Sequence, residues 1–275
     1  MIKRTLYKAI SHYIFPNKGI THVKRTPRLI VSLTSYPRRI GVVHSAIDSI
    51  LRQSIKPDMV LLWLAEEEFP QKEKSLPRHL RRYTKFGLTI KWCHNIRSYK
   101  KIIPALLEYP DDIIVTADDD IIYAENWLEM LYTSWLKRPN EIHCQHALSM
   151  ELSKDFKILH RDVRHNPGLL ENNEHTSSGT GILYPPHSLP AATVDENIFL
   201  NLAPHDDDMW FWAMERLANI PIRLVEGFTE NIVCIDEVQS DGLVSINSAG
   251  EGARQFANLL ERYPQLKDGL KPYCK

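Results

Sequence analysis

Residues 111–123 read DDIIVTADDDIIY, a β-branched run that stops on three consecutive carboxylates. Ile113, Ile114, Val115 and Thr116, closed by Ala117, form a short unbroken apolar stretch, the pattern of a strand buried on both faces of a parallel sheet. Asp118, Asp119 and Asp120 follow at once. Adjacent ionised carboxylates repel one another and lose hydration where the chain leaves a core, so something positive is expected beside them.

Working outward, strand and helix patterns alternate from residue 28 to 146. RLIVSLT (28–34), DMVLLWL (58–64), LTIKWC (88–93) and DDIIVTA (111–117) read as strands. Between them GVVHSAIDSILRQ (41–53), LPRHLRRYTKFG (76–87) and KKIIPALLEY (100–109) read as helices, the second closed by Gly87 and the third opening near Pro104. Such alternation predicts βαβ units, a mostly parallel sheet flanked by helices, and an α/β fold. Ligands in such sheets bind beyond the carboxyl ends of the strands, where the triplet lies. Residues 150–178 are polar, with few apolar positions, and are expected to form a loop or lid. SSGTGILYPP (177–186) reads as a hinge, HDDDMWFWAMERLAN (205–219) as a helix with acids in its first turn, PIRLVEG (221–227) and NIVCID (231–236) as strands, and ARQFANLLERYP (253–264) as a last helix. There is no internal repeat.

With 275 residues, 43% hydrophobic and 25% charged, the chain has enough apolar content for one large globular domain with short extensions. The expected division is a basic extension over 1–27, a domain over 28–265 split at 146/147 into nucleotide-binding and acceptor-binding halves, and a tail over 266–275. Lys+Arg and Asp+Glu both total 34, so net charge gives no reason to expect a nucleic acid partner. Residues 1–47 nevertheless hold nine Lys or Arg and no acid. That asymmetry suits either an anionic membrane surface, met peripherally through Leu6, Ile10, Tyr13 and Ile14, or a basic arm balanced by acids elsewhere in the fold. Cys93, Cys144, Cys234 and Cys274 are far apart with no CxxC pair, which argues against a disulfide framework or zinc site and for a reducing, cytoplasmic setting.

Carboxylates fixed at a strand end suit a hard divalent cation, and Mg²⁺ takes one or two of them while leaving its other positions to water and phosphate. The blocks VSLTSYPRRI, AIDSILRQSIKPDMVLLWL, YKKIIPAL, ADDDIIYAENWL, GTGILYPP and HDDDMWFWAM, in this order, resemble bacterial glycosyltransferases of surface-polysaccharide and lipopolysaccharide assembly. These are nucleotide-sugar enzymes of the GT-A fold, and the strand followed by ADDD looks like their DxD motif. The resemblance covers roughly residues 28–265 and implies Mn²⁺ or Mg²⁺ at Asp120, with Asp118 on the ribose or the metal and Asp119 facing the donor sugar or the structure. It implies nucleotide contacts from Leu33, Thr34, Ser35 and Tyr36, a phosphate contact from Arg38 or Arg39, and another from Lys101, unless Lys100 and Lys101 merely open an exposed helix.

Gly179 and Gly181 allow close approach of backbone to a sugar. Asp206 is expected to cap the helix, while Asp207 and Asp208 match the pair that supplies the general base, with Asp208 favoured. The resemblance implies a late histidine on the metal, for which His205 or His187 is the candidate, with Asp236 another oxygen donor. Trp210 and Trp212 are candidates for stacking on a sugar ring, Phe211 for the core. The implied reaction is inverting transfer of a sugar from a nucleoside diphosphate, expected to be UDP, to a hydroxyl of a glycan or lipid-linked glycan. A nucleotidyltransferase and a non-catalytic sugar-binding protein are the alternatives. The first normally needs a glycine-rich loop after the first strand, where SLTSYPRRIG has only Gly41.

Overall fold

The computed structural model describes residues 18–226, 232–235 and 247–273. Leu6, Ile10, Tyr13, Ile14, Asp236 and Cys274 lie outside the described residues.

The sheet begins with four parallel strands in spatial order β3 (Leu88–Cys93), β2 (Met59–Ala65), β1 (Leu29–Thr34) and β4 (Ile113–Ala117). It continues through β11 (Ile182–Tyr184), antiparallel to β4, then β6 (Ile142–Cys144), β12 (Ile222–Leu224) and β9 (Gly168–Leu169). Alternate side chains of each strand enter two separate cores, as the pleat requires. Leu29, Val31, Leu33 and Val115 pack with helices α1 (His44–Leu51) and α3 (Trp127–Lys137). Ile30 and Ile114 face the other layer, with α2 (Ile103–Glu108), α5 (Asp207–Ala218) and α6 (Gly252–Arg262). A further helix, α4 (Glu196–Leu202), leads into α5, and the predicted helix over 76–87 forms as a short α turn, Arg78–Arg81, continued by a 3₁₀ turn, Arg82–Phe86. The expected α/β fold, a mostly parallel sheet flanked by helices, is what the chain forms.

Register positions the site. Leu29 pairs with Ile113 and Leu33 with Ala117, so the residues that leave β1 and β4 together are Thr34–Ser35 and Asp118–Asp119. Because β11 runs antiparallel to β4, its entry, residues 178–181, returns to the same end of the sheet. After the triplet, β5 (Ile121–Tyr123) pairs with β13 (Ile232–Cys234).

The expectation of a loop over 150–178 is corrected. Three strands, β10 (Glu174–Thr176), β7 (Ala147–Leu152) and β8 (Ile158–Val163), form an antiparallel sheet in that order. Its outer face meets water, so Glu151, His160 and Asp162 mask the inward alternation that buries Met150 and Leu152. Nor does the C-terminal segment hang free. Tyr273 N donates to Leu152 O at 2.7 Å and Lys271 N to Asn173 Oδ1 at 2.8 Å. In the described part of the basic arm, Lys18 pairs with Asp48, Arg25 with Asp58 and Arg28 with Asp112, so acids of the domain balance these charges. No helix among the described residues is long and apolar enough to cross a membrane.

A buried acid in α5 gives a stability test. Glu215 is fully buried, accepts from Tyr184 Oη at 2.8 Å, and burial pushes its carboxyl up to about 8. The folded chain therefore keeps a proton that the unfolded chain, with an ordinary Glu value of about 4.3, releases. This group's contribution to stability falls as pH rises between those values, by up to about 1.4 kcal/mol per pH unit. Glu215→Gln removes that slope, so thermal unfolding of the variant should gain on the wild type between pH 5 and pH 8. Parallel curves for the two proteins would show that Glu215 is ionised in the fold.

Candidate functional site

Asp118 to Asp120 emerge from β4 beside the end of β1, and the chain itself supplies their positive partners. Lys101 Nζ lies 2.9 Å from Asp118 Oδ1. Arg39 Nη1 lies 3.0 Å from Asp119 Oδ1 and 2.9 Å from Asp120 Oδ2, and Ser35 Oγ donates to Asp119 Oδ2 at 2.6 Å. Asp119, 5% exposed, is thus anchored on both oxygens. Asp120 is raised to about 6, first by burial and then by the charge of Asp118.

The entry to β11 closes one side. Thr116 Oγ1 donates to Ser178 O at 2.7 Å, and Tyr123 Oη, accepting from Asp118 N at 2.7 Å, donates to Gly179 O at 2.6 Å. A Cβ on Gly179 would fall 2.3 Å from Asp118 Oδ2, so any side chain here would have to displace that carboxylate. Gly181 has φ +114°, and a Cβ there would meet the Trp127 indole at 2.7 Å. Gly179 faces the aspartates, whereas Gly181 shapes the turn from behind.

The second acidic cluster arrives on α5. Asp206 caps the helix as expected, accepting from Met209 N at 3.2 Å. Asp207 Oδ2 lies 3.4 Å from Lys101 Nζ, and Asp208 Oδ1 accepts from Ser178 N at 3.0 Å. Lys101, which also donates to Ser178 Oγ at 2.7 Å, therefore ties the two clusters together from a position only 5% exposed. The reading of Lys100 and Lys101 as an exposed helix start is corrected: both are buried, in a 3₁₀ turn over 97–101 that precedes α2. Burial followed by the charge of Asp207 pushes Asp208 up to about 7, against the pull of Lys101.

These groups surround a cavity of about 470 Å³. Thr34, Ser35, Tyr36, Lys101, Asp118, Asp119, Gly179, Asp207 and Asp208 all line it, so the fold brings together residues that lie 174 positions apart, from 34 to 208. Arg38, Asp120, Gly181 and His205 do not line it. Arg38 is exposed, and the arginine on the aspartates is Arg39, because the turn that begins at Tyr36 swings the second of the pair inward. His205 sits against Arg97, with Nη1 3.1 Å from its ring nitrogens, and is not brought to the triplet. Trp210 and Trp212 are fully buried, their indole N–H groups donating to Thr193 O at 3.0 Å and Asn172 O at 3.1 Å, so they join Phe211 in the core and are removed as sugar platforms. Glu68 and Asn95, which sequence reasoning did not single out, also line the cavity, as does Lys100. The one signal for Glu68 and Asn95 is position, three residues past the end of β2 and two past the end of β3.

Among the described residues no group of three or more His, Cys, Asp or Glu side chains forms a metal-ligand set. The local charge still fits a divalent cation. Six aspartates meet Lys101, Arg39 and Arg161, and Asp120, Asp206 and Asp208 are all held above the ordinary carboxylate range. Surplus negative charge of this kind, with one or two carboxylates within reach, is the setting Mg²⁺ or Mn²⁺ takes up alongside phosphate oxygens.

No family model matches the chain, and no curated protein matches it either. Among solved structures it is similar to TarS from S. aureus (residues 1–349), at 11% identity and TM-score 0.51, over 86% of this chain and 73% of that one. It is also similar to the mannosyltransferase PcManGT from Pyrobaculum calidifontis in complex with GDP-Man and Mn²⁺, at 16% identity and TM-score 0.36, over 56% of this chain. The aligned part spans 44% of that mannosyltransferase. A third is the inositol-1-phosphate CTP transferase from T. maritima, at 8% identity and TM-score 0.46, over 86% of this chain and 97% of that one. At such identities the likeness is one of fold, and the class it defines is a GT-A-like α/β protein with its polar cavity at the carboxyl end of the parallel strands.

Proposed function

We propose that the protein is a metal-dependent, inverting glycosyltransferase that moves a sugar from a nucleoside diphosphate, UDP by the sequence resemblance, to a hydroxyl of a surface glycan or lipid-linked glycan. The observation that carries this is the joining of two acidic clusters by one buried lysine inside a single cavity. A bound nucleotide at Thr34, Ser35 and Tyr36 places its diphosphate near Asp118, with Lys101 and Arg39 as the nearest cations. Asp118 and Asp120 would hold Mn²⁺ or Mg²⁺, which when bound offsets charge on the departing diphosphate. Asp119 holds Arg39 and Ser35 in place, while Gly179, with no side chain, lets the backbone approach Asp118 and the donor closely. Asp208, poised near neutrality, takes the acceptor proton as the hydroxyl attacks, and attack from the side opposite the leaving group inverts the anomeric centre.

Within this reading residues 28–146 bind the nucleotide and 147–265 the acceptor. A cytoplasmic setting, peripheral to an anionic membrane through Leu6, Ile10, Tyr13 and Ile14, is part of the proposal and is tested by vesicle sedimentation with and without residues 1–25.

Incubating the protein with radiolabelled UDP-sugars, metal and a glycan mixture tests the reaction class. Release of UDP with label in the glycan is expected. In a parallel incubation with UTP and a sugar 1-phosphate, release of pyrophosphate would establish nucleotidyl transfer instead, and no turnover in either would leave a binding protein. For the metal, Mn²⁺ should raise the melting temperature of the wild type with UDP present and leave Asp120→Ala unmoved; an equal rise in both removes Asp120 from the cation site.

The pH profile reports the base. Because Asp208 accepts a proton only when ionised, turnover should climb with pH to a plateau above about 7. Asp207→Asn removes the strongest neighbouring negative charge while Lys101 and the Ser178 N–H still favour the ionised form, so the rising limb should move to lower pH. An unmoved limb would assign it to another group.

A further inference from the structure

We propose that Arg97 reads a negative charge on the acceptor, a carboxylate or phosphate carried close to the hydroxyl that is glycosylated; this rests on the glycosyltransferase reading above. Among the described residues four cations line the cavity, Arg39, Arg97, Lys100 and Lys101. Three of them are matched with acids. Arg39 meets Asp119 and Asp120, Lys101 meets Asp118 and Asp207, and Lys100 Nζ lies 3.4 Å from Glu68 Oε2. Arg97 is the one of the four with no carboxylate at ion-pair distance among the described residues, its guanidinium meeting only Pro204 and His205.

Arg97 is held in place although its side chain is exposed. Its φ of +58° is a left-handed conformation that residues with a side chain seldom adopt, and its backbone N–H donates to Asn95 Oδ1 at 3.0 Å. At the other end Nη1 donates to Pro204 O at 3.1 Å. Burial and then the charge of Arg97 lower the His205 ring, which therefore meets the same Nη1 as an acceptor and not as a second cation. Nε and Nη2 have no partner among the described residues. They form one edge of the guanidinium, and that edge takes two oxygens of a carboxylate or phosphate side by side.

Position gives this edge to the acceptor. Pro204 stands two residues before Asp206, and Asp207 and Asp208 follow in the first turn of α5, so Arg97 is fixed beside the part of the cavity that holds the base. The donor's diphosphate falls to Asp118 and its neighbours, where Lys101 and Arg39 supply the positive charge. Asp206 faces Arg161 at 3.9 Å and Asp208 accepts from Ser178 N at 3.0 Å, so these acids have partners of their own and do not occupy Arg97. A neutral sugar leaves the free edge of Arg97 to water. An acidic one gains a charge-assisted pair on a side chain whose ordering is already complete.

Saturation-transfer NMR titrations on the full chain test this, with UDP and Mg²⁺ present and three pairs of probes. These are methyl glucuronide with methyl glucoside, methyl galacturonide with methyl galactoside, and methyl mannoside 6-phosphate with methyl mannoside, so the first two pairs report a carboxylate and the third a phosphate. In the wild type at least one acidic member should saturate at about tenfold lower concentration than its neutral partner, the effect of one hydrogen bond between charged groups. Arg97→Gln should erase that difference with the UDP signal unchanged. Arg97→Lys, which keeps the charge and loses the fork, should keep part of it. No pair separated by the wild type, or a separation that survives Arg97→Gln, overturns the proposal and leaves the transferase reading in place. Loss of the UDP signal in Arg97→Gln but not in Arg97→Lys also overturns it, by giving Arg97 to the donor. No UDP signal in the wild type overturns both.

Discussion

Lys101→Met should unfold at markedly lower urea than the wild type at pH 7, losing about 3–5 kcal/mol, the usual cost of removing one partner from a buried ionic cluster. The side chain of Met fills nearly the same volume, so the loss reports charge and hydrogen bonding rather than a cavity. Lys101 Nζ touches Asp118, Ser178 and Asp207 at 2.9, 2.7 and 3.4 Å, and is 5% exposed. Without it two carboxylates face each other with no cation between them. The deficit should shrink in a triple variant that adds Asp118→Asn and Asp207→Asn, which removes the repulsion. A loss below about 1 kcal/mol would place Lys101 among surface-like ion pairs and would contradict its described burial.

Asp208→Asn should lower sugar transfer by about 10²–10⁴-fold, the range expected when a general base is removed, with affinity for the nucleotide donor retained. Asparagine keeps an oxygen for the 3.0 Å bond from Ser178 N, so the loop beside Gly179 stays in place and the change isolates the proton acceptor. Turnover and donor affinity measured side by side separate the roles. Loss of donor affinity in step with turnover would make Asp208 a structural support of the 178–181 loop, and a larger effect from Asp207→Asn would move the base by one residue.

Strands β1, β2 and β4 were legible because each is buried on both faces, and a continuous apolar run has few other uses. The three-stranded sheet over 147–176 was not, since one face is wet and its charged residues hide the alternation. Asp206 as a cap follows from local chemistry alone, as an acid whose side chain bonds a backbone N–H three positions on. The pairing of Arg39 rather than Arg38 with the aspartates does not, because adjacent residues in a turn differ only in where the turn points them. Trp210 and Trp212 show the same limit from the other side: an aromatic on a helix reads alike whether it meets a sugar or a core, and here both are enclosed and bonded to backbone carbonyls.

By itself the sequence determined which segments enter the sheet and that Asp118 to Asp120 leave it at a strand's carboxyl end, since hydrophobic period and strand length are local properties. Only the tertiary structure decided that the second cluster, some ninety residues on, shares a lysine with the first, that the antiparallel return of β11 seats Gly179 against Asp118, and that His205 stays outside. Contacts of that kind depend on strand order and register, which arise from packing two cores at once and leave no mark on any one stretch of chain.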